Sequence, residues 1–277
     1  MGSYIYCSFI IICFYNLWKI FFICAVGIKV IEDLYDVLEA DVEARKLEIP
    51  TGILKWYASE SLVFQYGDSL VFQDSYTDED NVLVELQGKA LVYPVVDLDK
   101  RIVDLAAADE TSGLVTIKVA QVVSGVAEKL SAAELSAFED YWKEKRFAGT
   151  PISFISNDPD LIKAEYTVSY DPEILDSSGV LISDGVTKPV EVAIDAFLQE
   201  FQSENFNGTM QVVKLTNSIL DATGVINPVA TNIEAKPSGG TYTDVLATST
   251  QTYSSTAGYM SVDPLFPLST TITYIAG

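Results

Sequence analysis

There is no histidine anywhere in the 277 residues of this chain. Its absence removes the commonest general base and the commonest transition-metal ligand together. Cysteine is scarce as well: Cys7, Cys13 and Cys24 are the only three, all near the start. A disulfide framework or a zinc-finger spacing is therefore excluded for the remainder. Positive charge is short too, with 17 Lys and Arg against 39 Asp and Glu and a formal net charge of −22. Phosphate backbones are held by clustered Lys and Arg, so nucleic acid is not an expected ligand.

What the chain does have is an apolar opening that passes into an acidic stretch without losing its period. Steps of three and four from Cys7 reach Ile10, Phe14, Leu17, Phe21, Cys24, Ile28, Ile31, Tyr35, Leu38 and Val42, all apolar. Lys19, Lys29, Glu32, Asp33, Asp36, Glu39 and Glu43 all miss that seam. This is the heptad pattern of a long helix that packs on partner helices, with Leu17, Phe21, Cys24, Ile28, Ile31, Tyr35, Leu38 and Val42 as the expected partner interface. The thiols on it sit in apolar surroundings and are expected to be inert packing groups.

Two other readings of the opening compete. As a membrane anchor, residues 4–28 are interrupted by Lys19 after a charge-free run from Tyr4 to Trp18. A confident span wants about 18 charge-free residues, and a lysine near mid-bilayer costs about 2.5–3.5 kcal/mol. Alternatively, residues 1–14 are read from a start upstream of the true one. A secretory signal fits less well, since residues 1–6 carry no Lys or Arg and Ala25-Val26-Gly27 is a poor cleavage site.

Beyond Pro50-Thr51-Gly52 the pattern predicts an α+β protein in four parts. Residues 1–66 are a helical segment that ends with a shorter helix over Ile53 to Gln65. Residues 67–150 are a β-meander with a helix: strands at Ala90–Val96, Arg101–Ala106 and Leu114–Val119, then a helix opened by the capping box Ser131-Ala-Ala-Glu134. Residues 151–236 read β-α-β-α-β, which points to a ferredoxin-like α/β sandwich. Its strand alternates at Ala164, Tyr166, Val168 and Tyr170, and its first helix starts at Pro189 with Val190, Ile194, Phe197, Leu198 and Phe201 on one face. Residues 237–277, rich in Thr, Ser and Tyr, read as an extended β arm that lies on a neighbour or covers the preceding domain.

Each candidate for chemistry has a plainer structural explanation. Asp158 and Asp160 form a D-x-D pair of the kind that holds a divalent metal against phosphates, but Pro159 places them in a turn and no glycine-rich loop precedes them. Asp97 and Asp99 repeat that form beside a loop. Asp78-Glu79-Asp80 lacks the spaced ligands and central glycine of a calcium loop. Glu191 and Asp195 lie opposite an apolar stripe, and Ser131 is committed to capping. The expectation is no catalytic residue, no metal, no cofactor and no small-molecule substrate.

Several short stretches carry a resemblance. Ile53-Leu-Lys-Trp-Tyr57, Phe64-Gln-Tyr-Gly-Asp68, Arg101-Ile-Val-Asp-Leu-Ala-Ala-Ala108, Leu130-Ser-Ala-Ala-Glu-Leu135 and Phe147-Ala-Gly-Thr-Pro151 are joined by Lys163-Ala-Glu-Tyr-Thr-Val-Ser-Tyr-Asp-Pro172, Val192-Ala-Ile-Asp-Ala-Phe-Leu198, Phe206-Asn-Gly208 and Pro267-Leu-Ser-Thr-Thr-Ile-Thr-Tyr274. Together they look like phage tail baseplate proteins of Bacteroidetes phages and prophages, which resemble the baseplate J-like wedge family of contractile tails. The resemblance runs from about Asn16 to the end and departs at residues 1–14, where a polar helical segment would be expected. It implies a non-enzymatic virion component, assembled in the bacterial cytoplasm, whose partners are other baseplate and tail subunits and copies of itself. The alternatives are a membrane-anchored surface or adhesion protein using residues 4–28 and, more remotely, a nucleotidyltransferase-like enzyme resting on the D-x-D pairs.

Overall fold

Aromatic rings organise the first half of the described chain. The computed structural model describes Lys29 and residues 52–277, so the expected seam from Leu17 to Val42 lies outside the described residues. From Gly52 onward, α1 (Leu54–Leu62) and α2 (Ala132–Lys145) share a core with a sheet built from β3 (Leu105–Thr111), β4 (Leu114–Val123), β5 (Val126–Glu128) and β6 (Ile152–Ile155). Tyr57 and Phe64 come from the first helical stretch, Phe138, Tyr141 and Trp142 from α2, and Val115, Ile117 and Val119 from the inward face of β4. Trp56 meets Trp142 edge-on at 5.7 Å and Phe64 meets Phe138 edge-on at 5.4 Å, the geometry that the ring quadrupole favours.

Local chemistry fixes these elements. The Ser131 hydroxyl accepts from the Glu134 amide at 3.3 Å and the Glu134 carboxylate accepts from the Ser131 amide at 2.7 Å, so the expected capping box is formed. Lys143 and Lys145 in the last turn complement the helix dipole. The β3–β4 and β4–β5 hairpins both turn on Ser-Gly pairs with positive φ, Ser112 at 54° with Gly113 at 80° and Ser124 at 54° with Gly125 at 85°. Such two-residue turns match the right-handed twist of the flanking strands.

In the second half, β7 (Asp160–Tyr170) alternates buried and partly exposed residues along its whole length. Its buried face, with that of β9 (Val225–Lys236), is covered by α3 (Pro189–Ser203) and α4 (Val212–Leu220). Val190, Ile194, Leu198 and Phe201 enter this core from α3, and Val212, Leu215 and Ile219 from α4. The Tyr166 hydroxyl lies 3.1 Å from that of Thr216 and is pushed up to about 12 by burial.

The α+β class is thus observed, while several finer expectations need correction. The ferredoxin-like sandwich does not form, because β8 (Thr209–Gln211) leaves the main sheet to pair with β11 (Thr252–Ser254). The edge it would have occupied is taken by the C-terminal residues. β10 (Thr243–Asp244) pairs with β9, while β12 (Met260–Val262) and β13 (Ile272–Ala276), separated by the short α5 (Leu268–Thr271), run parallel to β7 along its other side. The arm from residue 237 therefore closes its own sheet, as an open strand edge requires. β6 hydrogen-bonds β4, and Tyr57 and Phe64 lie in the β4 core, so packing crosses the expected boundaries at 66/67 and 150/151.

The strand expected over Ala90–Val96 is the end of β2 (Leu83–Val92), which pairs with β1 (Val71–Thr77). It stops where Tyr93 turns into the core and Pro94 lacks a donor for the ladder. The strand expected from Arg101 begins only at Leu105. Phe138→Ala is expected to cost about 3–5 kcal/mol, the range for a buried ring left as a cavity, and Ser131→Ala about 1 kcal/mol for a lost cap. Urea unfolding measures both, and a reversed order would mean that the aromatic core is not what holds this half.

Candidate functional site

The structure separates the carboxylates that the sequence sets side by side. Asp158 is exposed and pairs with Lys129 at 2.7 Å, whereas Asp160 is buried at the first position of β7. Asp160 accepts from the Tyr253 hydroxyl at 2.9 Å, from the Thr256 amide at 2.7 Å and from the Ala257 amide at 3.2 Å. Its own amide donates to the Tyr259 carbonyl. A buried carboxylate needs donors of this kind to offset its lost hydration, and here β11 and the loop after it supply them all. The Asp160 carboxylate also holds the Tyr253 hydroxyl proton in place; burial foremost, and then this bond, raise the Tyr253 pKa above the ordinary value.

The loop that Asp160 holds lies where the sheet of β4 meets the sheet of β7. Lys118, on the face of β4 opposite the aromatic core, donates to the Asn207 side-chain oxygen at 2.6 Å and to the Ser255 carbonyl at 2.8 Å. Asn207 in turn donates to Asp109 on β3. Ala120, Ala127, Ala257 and Tyr259 form a small core of their own beneath Phe206. Burial lowers the Lys118 pKa, with the Asp109 and Asp160 charges opposing. Gly258, at φ 97°, lets the loop pass under Phe206, whose ring would stand 2.8 Å from an added Cβ.

A second buried carboxylate, Asp263, follows β12. It accepts from the Tyr242 hydroxyl, from the Leu265 amide at 2.9 Å and from Lys236 at 3.1 Å. Burial alone would raise its pKa, but the bonds from Tyr242, Leu265 and Lys236 outweigh it and hold the carboxyl below the usual carboxylate range. Lys236 also sits 4.2 Å from the centre of the Tyr242 ring.

The remaining sequence candidates are turn and surface groups. Asp78 accepts from the Asp80 and Val82 amides at the tip of the β1–β2 hairpin, and Asp97 accepts from Asp99 at the start of a single 3-10 turn. Glu191 pairs with Lys188 at 2.7 Å, and Asp195 is raised by partial burial and by Glu191. Among the described residues no group of three or more His, Cys, Asp or Glu is placed to hold a metal ion, and no helix is long and apolar enough to cross a membrane.

Sequence reasoning missed one group of exposed apolar residues. β1 and β2 pair with each other and pack little on any other described element. The hairpin and the segment after it leave Phe72 at 65%, Leu83 at 64%, Val82 at 55% and Val95 at 51% exposure. Its signal was present: Val71-Phe72-Gln73-Asp74-Ser75-Tyr76-Thr77 and Val82-Leu83-Val84 flank an Asp- and Asn-rich turn.

Replacing Asp160 with Asn should destabilise the protein by about 1–3 kcal/mol for each buried donor left unmatched, and Asp158→Asn by less than about 1 kcal/mol. Urea midpoints at unchanged m-value measure the contrast; equal effects would show that the loop is held by something else. The depressed Asp263 carboxyl contributes stability that is present above the unfolded carboxylate pKa of about 3.9 and is lost as pH falls through the lower folded value. Asp263→Asn should therefore flatten the acid limb of stability against pH, and an unaltered limb would remove Asp263 from the account. Compared with known proteins, the chain matches no family model and no curated protein.

Proposed function

We propose that this protein is a structural component of a phage tail baseplate, a wedge-type assembly subunit without catalytic activity. The observation that carries the reading is the β1–β2 ribbon. A two-stranded hairpin is marginal in water by itself, and exposed strands are normally blunted by charge, proline or a covering element. Here Val71, Phe72, Val82 and Leu83 are left open to solvent on such a ribbon. That suits a subunit whose neighbours complete it. The baseplate-like stretches between Ile53 and Tyr274 support the same reading.

In this proposal the segment before Pro50-Thr51-Gly52 forms a long helix. Its seam, Leu17, Phe21, Cys24, Ile28, Ile31, Tyr35, Leu38 and Val42, packs on helices of neighbouring tail subunits or of other copies. The protein is assembled in the host cytoplasm and ends in the virion.

The test is incorporation into particles. Antibody to residues 52–277 should label the baseplate end of purified tails, and the doubly substituted Ile31→Asp, Leu38→Asp chain should lose incorporation at least about tenfold, since each change places a charge in a dry seam. The far-ultraviolet spectrum of that variant checks that the rest still folds. Recovery only from detergent-solubilised membranes would support the anchored-surface reading instead and overturn this one.

A further inference from the structure

In this strongly acidic chain, Arg101 has no counter-charge among the described residues. It lies just after the 3-10 turn, partly buried, and makes no side-chain hydrogen bond or ion pair among the described residues; its Nε is buried without an acceptor. An arginine stays charged at any physiological pH, and a buried donor of that kind is costly to leave unmatched. It lines a cavity of about 190 Å³ between the base of the ribbon and α2. An enclosed apolar cavity of about 150 Å³ takes up benzene, so this half-open pocket has room for one ring.

The walls suit an apolar body carrying one negative charge. Tyr76, Tyr93, Tyr141, Leu70 and Val92 provide aromatic and aliphatic surface. The neighbouring carboxylates are already engaged: Glu60 accepts from Lys145 at 2.6 Å and from Tyr141 at 2.7 Å, and Asp68 accepts from Lys100 at 2.7 Å and Gln65 at 3.0 Å. Tyr93 accepts from the Gln65 amide at 3.1 Å, so its own hydroxyl proton is still available to an acceptor. Gln65 is spent on Asp68, Val95 and Asp97.

We propose that this cavity binds a carboxylate borne on an aromatic or aliphatic group, with Arg101 pairing the carboxylate and the tyrosines enclosing the apolar part. The site goes beyond the assembly reading and does not depend on it. The same chemistry is offered by a free carboxylic acid and by the C-terminal carboxylate of an inserted peptide ending in an apolar residue.

The experiment is a titration of the full chain followed by amide NMR. The probes are benzoate, its neutral isostere benzamide, and acetyl-Gly-Phe as free acid and as amide. Saturable shifts confined to the amides of Gln65, Tyr76, Tyr93 and Arg101 are expected with an acid, at least about tenfold weaker with the matching amide, as loss of a charge-assisted pair implies. Binding of benzoate identifies a free acid as sufficient; binding of acetyl-Gly-Phe alone identifies a peptide terminus. Arg101→Gln should abolish the shifts and Arg101→Lys weaken them. If that variant fails to fold, the acid-against-amide comparison on the unaltered chain decides. No saturable shift with either acid, or equal binding of acid and amide, overturns the proposal.

Discussion

The fold depends most on where the Asp160 carboxylate finds its donors. A buried carboxylate at the head of a central strand is tolerated only where donors converge on it, and Tyr253, Thr256 and Ala257 do so. Satisfying it fixes the loop, and the loop fixes the C-terminal strands. Met260 comes to lie opposite Asp160, so β12 enters in parallel register beside β7, and the chain continues through α5 to β13 on the same edge. The Asp263 amide then donates to the Ile162 carbonyl, and its carboxylate collects Tyr242 and Lys236. Two buried carboxylates, Asp160 opposite the start of β12 and Asp263 just past its end, thus pin that strand at both ends.

The same loop joins the sheets of β4 and β7. β4 presents Val115, Ile117 and Val119 to the aromatic core and turns Thr116, Lys118 and Ala120 the other way. An ammonium is an unusual choice for that second face, and its burial lowers the Lys118 pKa. Its use is directional: three donors on one nitrogen reach Asn207 and Ser255 from different segments. An aliphatic residue in its place would fill the space without fixing where the two segments sit.

Much of this was legible where a local rule suffices. The capping box at Ser131, proline at the start of α3, the alternation from Ala164 to Tyr170 and the periodicity of α3 each derive from neighbours in sequence. What could not be read was pairing at a distance. Nothing local marks β8 for β11 instead of β7, or assigns Asp160 and Asp158, two residues apart, to a buried loop and to solvent. The heptad seam from Leu17 to Val42 is the clearest local pattern of all, and it lies outside the described residues. The ribbon was missed because its apolar residues have no core to face, and periodicity reports a core.

On the assembly reading, charge narrows what can cover that ribbon. Its tip carries Asp78, Glu79 and Asp80, and the chain as a whole has a net charge of −22. Burying Phe72 and Leu83 supplies a favourable term of about 25 cal/mol for each Å² of apolar surface removed from water. Bringing up a second acidic surface opposes it, more strongly at low ionic strength than near 0.15 M, where screening reaches about 8 Å. A partner that is apolar at the centre and basic at the rim gains from both terms and is drawn in faster by the long-range field. On that reading the ribbon favours a different, basic subunit over another copy of this chain.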